Sequence, residues 1–229
     1  MHGVLLVDKQ KGWTSFDAVN YVRRIVATEV GKKPKNVKVG HTGTLDPQAT
    51  GLLVLLVGKE YTTKATDLSK VDKTYEVTMK LGETSTTGDN EGEKMSVETR
   101  EYTKTEVEHA LQAFLGETMQ IPPAFSAMKI NGQRAYKLAR AGKEVQLEAR
   151  PIKISRIELI DYSHPYIKFV ADVSSGTYIR SLVEDIAKKL DTGAYMSDLR
   201  RTKVGNFSLE NAIDIREKTA EDITMHLRP

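Results

Sequence analysis

Apolar residues in this chain fall into runs of three kinds, and each kind predicts a different element. Residues 3–7 (GVLLV), closed off by Lys11-Gly12, form a short β-rich run that reads as a buried strand. Residues 51–58 (GLLVLLVG) are apolar at every position between two glycines, the pattern of a strand covered on both faces. Apolar and polar side chains alternate over residues 74–81 and 166–173, so those strands bury a single face, and residues 152–160 share the tendency. Helical spacing takes over where Phe16, Val19, Val22, Ile25 and Val26 recur, predicting a helix N-capped by Ser15 that ends near Gly31 and Pro34. Further helices are expected over residues 105–115, 134–141 and 178–190, with a short one over 219–227. Strands and helices alternate irregularly, without a repeating βαβ unit. That favours an α+β fold with a mixed sheet over a doubly wound one.

Two segments break the periodicity. Residues 40–51 (GHTGTLDPQATG) are dense in Gly, Thr, Asp and Pro and predict an ordered loop leading directly into the covered strand. Residues 83–100, with Gly88, Asn90 and Gly92, read as an acidic surface hairpin or loop. There is no internal repeat and no linker, so residues 1–229 are expected to form a single domain.

Composition narrows the chemistry. The 229 residues contain no cysteine, which removes disulfides, thiolate nucleophiles and Cys-based metal sites. Five histidines are scattered along the chain, too dispersed for a His-only metal cage, and no metal is expected. No apolar run is long enough to span a membrane, and nothing at Met1 resembles an export signal, so the expected address is cytoplasmic. Net charge is only +3, but it is unevenly spread. Residues 9–38 and 126–156 each hold eight Lys/Arg against two acidic residues, while residues 83–108 hold eight acidic residues against three basic ones. Charges segregated in this way suit a protein that turns a basic face to a polyanion.

Asp46 stands out because a loop anchored on a rigid strand is a common place to hold a reacting carboxylate, although Asp before Pro equally makes an Asx-turn. His41, in the same loop, suits either a substrate contact or a backbone carbonyl. Arg180 follows a Ser/Gly/Thr cluster at a predicted helix start, where a guanidinium and free backbone N–H groups suit an anion; an ordinary surface arginine fits as well. Tyr75 and Tyr178 suit stacking on a base or a half-buried place in the core. P-loop, dinucleotide, serine-hydrolase and zinc-hydrolase signatures are all missing.

Read together and in order, the segments GVLLVDKQKGWTS, GHTGTLDPQATGLL, DKTYEV, IPPAFSAMKINGQRAY, SSGTYIRSLVEDI and DLRRTKVG resemble the blocks of the bacterial tRNA pseudouridine-55 synthase (TruB) family over residues 3–207. The resemblance implies a pseudouridine synthase fold: a central mixed, mostly antiparallel sheet flanked by helices, with an RNA-gripping insertion at about residues 124–150. It implies cofactor-free isomerisation of uridine 55 in the TΨC loop of tRNA. Asp46 matches the essential aspartate, acting at the ribose or the uracil. Arg180 matches the arginine that pairs with it and Tyr75 the tyrosine that stacks on the target base. His41 matches the histidine that evicts the nucleotide, and Tyr178 and Leu199 match residues lining the uridine pocket. Lys129, Arg134, Lys137, Arg140 and Lys143 fall in the insertion and would follow phosphates of the tRNA T-arm. The enzyme is expected to act as a monomer. Many relatives continue into a small RNA-binding PUA domain, which is expected to be absent here. The alternative is a non-catalytic module that binds or refolds tRNA through the same surface.

Overall fold

The computed structural model describes every residue except Ala127, Asn131, Glu144, Glu217 and Pro229, and leaves the Lys129 side chain undescribed. The fold is α+β, built on mixed, mostly antiparallel sheet flanked by helices. The chain divides into two units, residues 1–75 with 199–229, and residues 76–198.

The first unit is organised by the run that is apolar throughout. It becomes β3 (Thr50–Val57), buried along its whole length after Thr50. On one side it pairs antiparallel with β1 (Gly3–Lys9), from Gly3 opposite Val57 to Lys9 opposite Gly51. The short β2 (Val39–His41) also pairs antiparallel with it, placing His41 opposite Leu55. Helix α1 (Ser15–Glu29) packs on β2 and β3 through Ala18, Val19, Val22 and Val26. The other face of the strands is covered by Tyr61 of α2 (Lys59–Thr62), Leu68 of α3 (Ala65–Ser69) and Val71, which surround Val4, Leu6, Leu52, Val54 and Leu56. Burial of this many branched side chains on one strand, at roughly 1.5–3 kcal/mol each, makes β3 the rigid element of the unit.

The chain enters the second unit along β4 (Lys73–Leu81), whose strict alternation of buried and half-buried residues follows the sequence pattern. Next come the hairpin of β5 (Glu83–Ser85) and β6 (Lys94–Ser96), helix α4 (Lys104–Gln112) and β7 (Gly116–Gln120). The basic segment holds a two-stranded ribbon, β8 (Lys129–Ile130) and β9 (Gln133–Arg134), and helix α5 (Ala135–Arg140). The long β10 (Arg150–Ser163) pairs antiparallel with β7 and with β11 (Tyr166–Val173). Helix α6 (Ile179–Lys189) buries Leu182, Val183, Ile186 and Ala187. Strand β12 (Ala194–Val204) then returns the chain to the first unit, where Arg200 and Arg201 pair parallel with Thr50 and Gly51. Gly51 has a positive φ of 98°, and a Cβ there would lie 2.2 Å from the Arg201 carbonyl oxygen, so only glycine permits this approach. The unit closes with β13 (Phe207–Ser208) and α7 (Ala220–Met225).

Several local expectations need correction. Thr14, not Ser15, caps α1, because Thr14 and Asp17 form a reciprocal capping box and leave the Ser15 hydroxyl free for a tertiary bond. Phe16 does not belong to the buried stripe: it is 60% exposed, with the Arg23 guanidinium 5.7 Å from its ring centre. The helix expected over 105–115 begins one residue earlier, at a Thr103–Glu106 capping box, and stops at Gln112, leaving Leu115 exposed. Strand β12 had no expectation, because its mixture of charged and apolar residues fits neither simple period.

Candidate active site

In the first unit the residues between β2 and β3 are held by hydrogen bonds to their backbone. The Ser15 hydroxyl accepts from the Leu45 N–H at 2.8 Å and donates to the Leu45 carbonyl at 3.0 Å, so one buried side chain satisfies both backbone groups beside Asp46. The Gly12 N–H donates to Pro47 O at 2.8 Å, and Ala49 N–H closes a turn onto Asp46 O at 3.1 Å. Two buried cations complete the frame. Lys9 Nζ donates to Trp13 O at 2.7 Å, Gln10 O at 3.1 Å and Pro47 O at 3.4 Å. Arg201, only 1% exposed, donates from Nε to Leu52 O at 2.7 Å and from Nη2 to Gly43 O at 3.0 Å. The Asp46 carboxylate is therefore carried on a loop whose backbone has few ways to move, and it is half-buried.

Other candidates in this unit have definite environments. His41 ends β2, half-buried, and burial with the Arg201 charge lowers its pKa, which keeps the imidazole neutral near pH 7. Its buried Nδ1 has no hydrogen-bond partner among the described residues. Tyr75 and Leu199 are both buried, at 7% exposure. For Tyr75 this favours a packed ring over a freely solvated one, and the Leu199 carbonyl lies 3.5 Å from Thr50 Oγ1.

In the second unit Arg180 is the second residue of α6 and is 8% exposed, which excludes a solvated surface arginine. Its Nη1 donates to Thr87 O at 3.0 Å and lies 3.5 Å from Asp89 Oδ2, and its Nη2 donates to Phe125 O at 2.9 Å. The guanidinium fork thus spans two chain segments and a carboxylate. Tyr178 caps α6, but its N–H is not free for an anion: it donates to Gln120 Oε1 at 2.8 Å, while Gln120 Nε2 donates back to Tyr178 O at 3.1 Å. Asp89, buried at 6% exposure, sits between β5 and β6, where Thr87 Oγ1 and the Glu91 N–H both donate to its Oδ1. Gly88, with φ of 74°, lets this segment approach α6; a Cβ there would lie 3.3 Å from Arg180 Cβ and 2.9 Å from Glu184 Oε1.

Comparison with known proteins identifies the family. The profile of the TruB family pseudouridylate synthase N-terminal domain matches residues 28–179, and that of the tRNA pseudouridylate synthase B C-terminal domain matches residues 180–225. The chain belongs to the TruB family. A tRNA pseudouridine synthase B from Clostridium novyi (strain NT) is 43% identical over 228 residues, 99% of this chain and 75% of that protein. One from Pseudomonas fluorescens is 46% identical over 220 residues, 95% of this chain and 68% of that protein. Among solved structures, a chain of the Cbf5-Nop10-Gar1 complex aligns with a TM-score of 0.71 at 28% identity, over 94% of this chain. This chain spans 53% of the length of that one. As a TruB family member it is an isomerase of the pseudouridine synthase type.

Sequence reasoning had not nominated Lys9, Ser15, Asp89, Gln120 or Arg201, whose hydrogen bonds and ion pairs reach the candidate residues or the segments that carry them. Lys9 carried a usable signal: it follows Leu5 and Val7 at period two along β1 and shares their buried face. Burial lowers its pKa from 10.5 to about 8, opposed by the nearby Asp46 charge and reinforced by Arg201. Lys73, bonded to Ser69 O and Val71 O, is lowered to about 8 in the same way. Because the unfolded chain holds these protons up to about pH 10.5, stability rises with pH between about 8 and 10.5, and the cost of burying charge is fully present below 8. Lys9→Met is expected to reduce the slope of unfolding free energy against pH in that window, by up to about 1.4 kcal/mol per pH unit. Urea titrations at several pH values read the slope; an unchanged one would mean that Lys9 titrates normally.

In the basic segment Arg134, Lys137, Arg140 and Lys143 are all exposed, while Ala135 anchors α5 inward. Lys137 and Arg140 are three residues apart on α5 and share a face. The expected RNA contact of Lys129 falls on a side chain outside the described set. Among the described residues no cluster of acidic and histidine side chains suits a metal ion, and no helix is long and apolar enough to cross a membrane.

Proposed function

We propose that this enzyme isomerises uridine to pseudouridine in tRNA, at position 55 of the T-arm, acting as a monomer, with all the chemistry supplied by residues of one catalytic domain. The observation that carries this reading is the Asp46 loop, immobilised by Ser15, Lys9 and Arg201, in a chain that belongs to the TruB family. Relatives 43–46% identical to it are named tRNA pseudouridine synthase B.

Isomerisation breaks the C1′–N1 bond, turns the uracil, joins C5 to C1′ and releases the C5 proton while N1 takes one up, so the product is an isomer of the substrate. The protein must supply an ionised carboxylate at the nucleoside and hold the detached base in place. Asp46 supplies the carboxylate, acting at the ribose or the uracil, and Arg180 its cationic counterpart. Tyr75, Tyr178 and Leu199 bound the base. Neutral His41, with Nδ1 uncommitted, suits contact with the RNA strand from which the nucleotide is turned out, a step that costs a few kcal/mol. Release of tritium from C5 of the target uridine in a tRNA transcript, without a mass change in unlabelled product, tests the reaction; no release would remove it.

The exposed cations of α5 and its flanks suit phosphates of the T-arm. Lys137→Ala combined with Arg140→Ala is therefore expected to weaken tRNA binding and to flatten the plot of log Kd against log salt by about 1.5 units. Fluorescence titration between 50 and 200 mM salt, roughly the range over which such contacts lose affinity, gives the slope. An unchanged slope would move the RNA-binding face elsewhere.

A further inference from the structure

The second unit contains a cation that the reaction does not use and that the family resemblance does not account for. Lys94, the exposed first residue of β6 opposite Ser85, extends its ammonium back to the turn that carries Asp89. Nζ donates to Asp89 O and to Gly92 O, both at 2.8 Å, and lies 3.5 Å from Ser85 Oγ. It also stands 4.5 Å from the ring centre of Tyr195, a buried residue of β12. Ser85 Oγ donates to the same Asp89 carbonyl at 2.6 Å, so two donors converge on the backbone of the residue whose carboxylate faces Arg180.

We propose that Lys94 is a positioning residue for the reaction, acting through Asp89 on Arg180. The turn between β5 and β6 holds Arg180 from two atoms, the Thr87 carbonyl and the Asp89 carboxylate. That turn is rich in glycine and polar residues and has little apolar anchorage of its own, so its position depends on hydrogen bonds. An ammonium bridging two of its carbonyls while resting on a fixed aromatic face ties the turn to Tyr195 without adding bulk. The 3.5 Å separation between Arg180 Nη1 and Asp89 Oδ2 is long for an ion pair and leaves no slack for drift of the turn.

This proposal rests on the role assigned to Arg180, so the experiment includes that residue. Single-turnover tritium release and tRNA Kd are measured for Lys94→Met, Lys94→Arg, Asp89→Asn, the Asp89→Asn/Lys94→Met double variant and Arg180→Gln. Methionine keeps the stem over Tyr195 and removes the donors. Lys94→Met is expected to slow release about tenfold with Kd within about twofold of wild type, since small displacements in a reacting site act on rate. Lys94→Arg should recover most of the rate, and the double variant should be no slower than Asp89→Asn. A wild-type rate for Lys94→Met, a loss confined to Kd, or a double variant slower than Asp89→Asn by the full tenfold would each overturn the proposal. Undiminished release from Arg180→Gln would instead overturn the reading on which it rests.

Discussion

Asp46→Asn is expected to abolish turnover, lowering single-turnover tritium release by at least about a thousandfold, the scale seen when a reacting side chain is removed. Binding of tRNA should change little. The two expectations separate because of how the loop is built. Asparagine matches aspartate in shape, and the contacts made by Ser15, Lys9 and Arg201 to the loop run to Leu45, Pro47 and Gly43 backbone atoms. The substitution therefore removes a charge and keeps those backbone contacts. It also removes the anion that partly offsets burial of Lys9, so a modest loss of stability should accompany the loss of rate. Circular dichroism and a Kd titration show that the variant is folded and binds. Undiminished release would mean that Asp46 only shapes a turn and that another group carries the reaction, whereas absence of release from the wild type would favour the alternative of a non-catalytic module that binds or refolds tRNA.

The strands that carry the site were legible because their patterns have one physical cause each. A run apolar on both faces has to be covered on both faces, and β3 is. Strict alternation has to bury one face, and β4 and β11 do. The loop before β3, which carries Asp46, was legible from its turn residues. What escaped were polar residues buried for their hydrogen bonds. Asp89 lies in an acidic, glycine-rich stretch that reads as solvated surface, and only the tertiary approach of α6 through Gly88 makes it an internal group. Arg201 sits in a strand that mixes charged and apolar residues, yet it is almost wholly buried, because carbonyls at Leu52 and Gly43 accept its donors. Periodicity reports where apolar surface goes and is silent about such partners. Phe16 is the converse case, a residue at helical spacing whose ring lies in solvent under Arg23.

Replacing Arg180 by lysine keeps the charge and is nonetheless expected to lower single-turnover release about a hundredfold, the scale of a displacement of roughly 1 Å in a reacting site. Arg180 reaches the Thr87 and Phe125 carbonyls from two different nitrogens at 3.0 and 2.9 Å, and the second of these leaves Nη1 beside Asp89. A lysine ammonium is one point at the end of a flexible stem and cannot occupy both positions. Whichever carbonyl it abandons stays buried without that donor, at a cost of about 1–3 kcal/mol, so thermal stability should fall as well. The loss of rate has to exceed what unfolding removes: at a temperature where the variant is fully folded, with tRNA saturating, release should still be slow. Release near the wild-type value under those conditions would make Arg180 a structural clasp between the Thr87 and Phe125 segments. Asp46 would then have to act without it, and the case for a carboxylate–guanidinium mechanism in this enzyme would fail.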